Sequence, residues 1–117
     1  MNTDPGNAIV VTSTAGSEEE AARIGKTLVR ERLAACVQIV PNVRSLYVWR
    51  DEFIDDKEWL MVIKTRRSLF DSLKARILEL HRYEVPEIVS MALDDGHKPY
   101  LIWLMESTSL NPDKERE

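Results

Sequence analysis

The apolar positions change period several times along the chain, and each change predicts an element. Ala8-Ile9-Val10-Val11-Thr12-Ser13-Thr14 is an apolar, β-branched run bounded by Gly6 and by Ala15-Gly16, which reads as a buried strand. Ser17 and Glu20 then form a capping box, and Glu18-Glu19-Glu20 suit the positive end of a helix dipole as a solvated first turn. Ala21, Ile24, Leu28 and Val29 recur at helical spacing, and the helix is expected to end near Ala34-Ala35. A long β-hairpin is predicted from Val37 to Thr65. Its first arm reaches Trp49, its second runs from Glu52, and its turn falls at Arg50-Asp51, where Asp tolerates a left-handed backbone. Pro41 cannot donate to a ladder and predicts a bulge or bend.

A second helix is expected behind Ser68 as N-cap with Asp71 three residues on. Phe70, Leu73, Ile77 and Leu80 supply its apolar spacing, and it stops at His81-Arg82-Tyr83, close to Pro86. Glu87 to Leu93 is a strand candidate closed by Asp94-Asp95-Gly96, and a third helix begins around Lys98-Pro99. The order strand, helix, strand, strand, helix, strand plus one extra C-terminal helix predicts an α+β, ferredoxin-like β-α-β-β-α-β sandwich over residues 8–108. Residues 1–7 and the tail 109–117, which from Asn111 on has nothing to bury, are expected to be flexible.

An arm of about 14 residues would span ~45 Å if straight, against a domain diameter of roughly 35 Å for this length. The arm must bend or project. It carries Leu46, Tyr47, Val48, Trp49, Phe53 and Ile54, too apolar to be left in water, so a partner subunit is expected, most simply a second copy of the chain.

Composition narrows the class. The 117 residues carry a net charge of -4, which argues against a nucleic-acid partner, since phosphate contacts need a clustered basic face. No apolar run approaches a membrane span, and the first residues lack a signal peptide's basic start and apolar stretch, so no membrane is expected and the expected compartment is the cytoplasm. One cysteine, Cys36, excludes an internal disulfide.

Three segments together resemble the CutA family of divalent-cation tolerance proteins: Glu31-Arg32-Leu33-Ala34-Ala35-Cys36-Val37, Ser45-Leu46-Tyr47-Val48-Trp49 and His81-Arg82-Tyr83-Glu84-Val85-Pro86-Glu87. Ile63-Lys64-Thr65 lies between them and Tyr100-Leu101-Ile102-Trp103-Leu104 after. The resemblance spans roughly Ala8 to Thr108. It implies a ferredoxin-like subunit in a homotrimer with hairpins crossing between subunits, and an architecture shared with the PII signalling proteins, which bind small ligands in clefts between subunits. Two features depart from bacterial relatives proposed to bind copper: Ser13 stands at their first-strand cysteine, and Leu80-His81 replaces their histidine pair. The turn also departs, with Asp51 where the family often has Gly.

The candidate residues fall into two sets. His81, Glu84, Glu87 and Cys36 are the metal candidates, for copper or another divalent ion at a subunit boundary. His81 can alternatively serve a helix C-terminus, and Cys36 can be a small buried hydrophobe. Lys64, Tyr83, Glu87 and Trp103 are the candidates for a small organic ligand, with an interface ion pair between Lys64 and Glu87 as the structural alternative. Trp49, Trp59 and Trp103 are expected as core or interface anchors and His97 as a solvated loop residue. Phosphate-loop, zinc-protease and nucleophile-elbow motifs do not occur, and the chain is expected not to be an enzyme. Three readings follow: a trimer in metal-ion tolerance that contacts metal, a PII-like regulator with a small ligand, and a trimeric scaffold for other proteins.

Overall fold

The computed structural model describes residues 7–108. The order is β1 (Ala8–Ala15), α1 (Glu18–Arg30), β2 (Cys36–Trp49), β3 (Glu52–Arg66), a 3-10 turn (Arg67–Leu69), α2 (Phe70–Leu80), β4 (Val89–Ala92) and α3 (Lys98–Glu106). The expected flexible termini fall, apart from Asn7, outside the described residues.

The strands form one antiparallel sheet in the order β2-β3-β1-β4. Side chains alternate across a strand, so Ile9, Val11 and Ala15 of β1 join Met61 and Ile63 of β3 on one face. There they pack with Ala21, Ile24 and Leu28 of α1 and Leu73 and Ile77 of α2. The alternate residues point to the other face, which carries Val10, Thr12, Leu60 and Val62. A second cluster, in which Leu101, Leu104 and Met105 of α3 meet Ala8 and Ala35, covers one end of that face. This is the ferredoxin-like α+β sandwich with an extra helix.

The hairpin is as long as expected. Arg50 and Asp51 both have left-handed backbones, φ 50 and 68, the mark of a two-residue type I′ turn. Pro41 lies in the register shift between Val40 and Val43, beside Asn42 at φ 60. The projecting arm stretches the molecule to 48 × 29 × 21 Å and its radius of gyration to 15.0 Å, above the ~13 Å of a compact chain this long.

Three boundaries differ from expectation. Helix α1 stops at Arg30, before Ala34-Ala35, because Arg32 turns left-handed (φ 61). The Arg32 N–H then donates to Val29 O (3.1 Å) and the Leu33 N–H to Leu28 O (2.9 Å), a Schellman closure without glycine. Ser68 caps nothing: β3 runs on to Arg66, so Ser68 falls inside the 3-10 turn, and α2 starts without a side-chain cap. β4 is shorter than Glu87–Leu93, pairing Val89–Ala92 with Ile9–Thr12, although the Leu93 N–H still donates to Ala8 O. No helix among the described residues is long and apolar enough to cross a membrane.

Candidate functional site

The segment after α2 is fixed by a buried polar knot. The Glu20 N–H donates to Ser17 Oγ at 3.1 Å, the expected cap. The Glu20 carboxylate departs from the expected solvated turn. It is 3% exposed and accepts from Gly16 N–H (3.3 Å) and Arg82 N–H (2.7 Å). Beside it, 3.5 Å from Nδ1, lies the His81 ring, whose side chain is 0% exposed. His81 Nδ1 accepts from the Tyr83 N–H (3.0 Å), which leaves Nε2 as the donor to Thr14 O (2.6 Å). Both ring nitrogens are therefore used inside the chain. Glu18 and Glu19 are exposed as expected.

Tyr83 leaves this knot and lies against Gly16, where a Cβ would approach its hydroxyl to 3.1 Å. Its O–H donates to Glu58 Oε2 at 2.7 Å. Burial pushes the Tyr83 phenol well above its ordinary range, and the Glu58 carboxylate adds to the shift. Tyr47 is raised in the same direction, by burial and then by the charges of Glu58 and Asp56. Tyr47, Trp49, Tyr83, Glu84 and Val85 line a cleft of ≈ 180 Å³ between the hairpin arm and this segment. At the hairpin turn Arg50 Nη2 donates to Glu84 Oε2 (2.8 Å), and its guanidinium lies 5.1 Å over the Trp49 ring.

The remaining candidates lie elsewhere. Lys64 Nζ donates to Gln38 Oε1 (3.0 Å) and sits 5.6 Å from the Tyr100 ring, which packs on Trp103 at 5.6 Å. Glu87 accepts from Thr12 Oγ1 at 2.8 Å, and no Lys64–Glu87 ion pair forms among the described residues. Cys36 is half-buried opposite Lys64, and His97 is exposed at the N-cap of α3. Ser13 is buried, and its Oγ has no hydrogen-bond partner among the described residues.

Lys64 and Trp103 thus belong to one neighbourhood, and Tyr83 and Glu84 to another. A divalent ion needs several converging donors. Among the described residues no three of His, Cys, Asp and Glu converge, so these residues of one chain do not by themselves fit a metal centre. Sequence reasoning missed Glu20, Glu58 and Arg50. For Glu58 a signal existed, a carboxylate directly before the apolar run Trp59-Leu60-Met61.

Comparison with known proteins agrees with this architecture. The chain is 50% identical over 99 residues to the divalent-cation tolerance protein CutA of Thermus thermophilus, covering 85% of this chain and 96% of that one. It is 41% identical over 101 residues to the chloroplastic protein CutA 1 of Oryza sativa, covering 86% of this chain and 57% of the rice protein, so it spans little more than half of that relative. A solved structure of the divalent cation tolerance protein from Thermus thermophilus superposes with a TM-score of 0.85 at 48% identity, over 87% of this chain and 99% of that one. Residues 9–107 match the family model described as CutA1 divalent ion tolerance protein, and the chain belongs to that family.

Proposed function

We propose that this chain acts in divalent-cation tolerance as a cytoplasmic homotrimer whose hairpin arms cross between subunits, and we assign it no catalytic role. The observation that carries the assembly is the hairpin. Val48 and Phe53 face each other across it and are 67% and 70% exposed. Val89 and Met91 add exposed apolar surface on the uncovered sheet face. A strip of this kind asks for a partner, and a second copy is the simplest one; the count of three follows the resemblance. The proposed metal contacts Glu84, Glu87 and Cys36 would have to converge from neighbouring copies, and His81 would first have to release Thr14 and Tyr83.

Native mass spectrometry before and after equimolar Cu(II) or Zn(II) tests both parts. A trimer is expected, with metal uptake reduced in Glu87→Gln. A monomer would sink the assembly, and a trimer that takes up no metal would remove the metal contacts.

The cleft favours a second reading, a small organic ligand bound at the subunit boundary. Of the candidates Lys64, Tyr83, Glu87 and Trp103, only Tyr83 lines it, and its companions are Tyr47, Trp49 and Glu84.

A further inference from the structure

The residue that stands out is Glu58. It is 5% exposed, and its hydrogen bond is to a neutral phenol, Tyr83. Among the described residues no Lys, Arg or His forms an ion pair with it. Buried carboxylates are ordinarily paired with a cation, because removal from water penalises a lone charge heavily. The missing counter-charge has a place to sit. Glu58 raises both Tyr47 and Tyr83, so its field reaches the two phenols that wall the cleft. The third aromatic wall, Trp49, already has a guanidinium over its face, supplied by Arg50, which Glu84 holds. Glu84 is the charged residue in the cleft's lining; Glu58 lies behind the wall at the Tyr83 hydroxyl, and Arg50 reaches the cleft through Glu84.

We propose that this cleft is a binding site for a small organic cation, an alkylammonium or guanidinium group held between Tyr47, Trp49 and Tyr83 and neutralised by Glu58. The reading rests on the small-ligand function above and names its chemistry. Aromatic faces attract cations through the ring quadrupole, and quaternary ammonium groups are bound this way. A bare metal ion would find only carboxylates here, without the converging donors it needs. At ≈ 180 Å³ the cleft is below the ~300–1,000 Å³ of drug-sized sites, so the occupant is a head group or a small amine. Arg50 is its tethered competitor. It covers the Trp49 face and occupies Glu84, and a free ligand must displace it.

The test is calorimetric titration of the full chain, in its native oligomer, with choline chloride and with the neutral isostere 3,3-dimethyl-1-butanol. Choline should saturate, and the isostere should bind about tenfold or more weakly, the scale of a desolvated cation–π contact. Glu58→Gln keeps an acceptor for Tyr83 and should weaken choline by a similar factor. Arg50→Asn, which suits the left-handed turn position, should strengthen it. Equal binding of the isostere would make the cleft merely apolar and overturn the proposal, as would no binding of choline by a wild-type oligomer. The isostere comparison needs no variant, so it stands even where a substitution prevents folding. Light scattering on the same samples separates the two ideas: a trimer that ignores choline sinks the cage alone, and a monomer sinks the assembly beneath it.

Discussion

Tyr83 is the residue on which three parts of the molecule converge: its N–H reaches His81, its ring lies against Gly16, and its hydroxyl reaches Glu58. Its phenol is held protonated above the ordinary tyrosine value of about 10. In the unfolded chain it loses its proton near that pH, while the folded chain keeps it. The folded state then binds more protons, so this contribution is complete below pH ~10 and lost as pH rises beyond it. Absorbance titration at 295 nm should show phenol ionisation delayed past pH ~10, and Tyr83→Phe should remove part of that delayed signal; an unchanged curve would place the delay elsewhere. Arg66 makes a comparable point for stability. It is 3% exposed; its Nε donates to Thr108 Oγ1 (2.8 Å), and its Nη2 donates to Thr108 O (2.6 Å) and to Met105 O, at the C-terminal end of α3. Arg66→Met strands these acceptors and should cost about 2–4 kcal/mol, read from the guanidinium midpoint of unfolding. A shift near zero would mean that water replaces the guanidinium there. Legibility at this scale follows sequence distance. The Ser17 cap is local and was readable, whereas the Glu20 carboxylate is held by the Arg82 N–H, 62 positions away, which no local pattern reports.

Elements were the most legible scale, because periodicity and turn chemistry act over a few residues. The hairpin was readable from two β-branched arms around Arg50-Asp51, and its bend from Pro41 alone. The errors came where an element is ended from outside. Ala34 and Ala35 continue a good helical pattern, yet the Schellman closure at Arg32 frees Ala35 to donate to Lys64 O at 2.9 Å and begin the β2 ladder. Ser68 has the right side chain for a cap but lies too deep in the 3-10 turn to serve. The turn itself yields a prediction. Asp51 holds φ 68, a conformation that glycine adopts without the steric penalty of a Cβ. Asp51→Gly should stabilise the hairpin by about 0.5–1 kcal/mol net of glycine's extra unfolded-state entropy, whereas Asp51→Val should destabilise it. Thermal denaturation of the two variants should order them on either side of the parent. A less stable glycine variant would mean that the Asp51 side chain supports the turn by a bond of its own.

At the scale of the whole molecule the hairpin has two different faces. Cross-strand partners share a face, so Val48 lies with Phe53, and Leu46, two residues before Val48, lies with them. Tyr47 and Trp49 point the other way, toward the cleft they line with Tyr83. One face is thus engaged by its own chain, while Leu46, Val48 and Phe53 on the other stay exposed among the described residues. The sequence made the apolar content of the arm visible and, through it, the need for a cover. It could not say which face is engaged at home, because strand alternation separates two faces without identifying what either one meets. The division allows the two roles to be tested apart. Phe53→Glu places a charge on the unengaged face, where burying the phenyl group contributes about 1.5–3 kcal/mol per contact, and a closed ring repeats that contact in every copy. Sedimentation velocity should therefore show the variant shifted toward smaller species at concentrations where the parent is fully assembled. Far-UV circular dichroism should stay unchanged, since Phe53 lies outside the core clusters. Tyr47→Leu, on the engaged face, should leave the sedimentation coefficient alone and weaken choline binding. If Phe53→Glu assembles like the parent, the subunit contact lies on the open sheet face around Val89 and Met91, and the long arm extends for some other purpose.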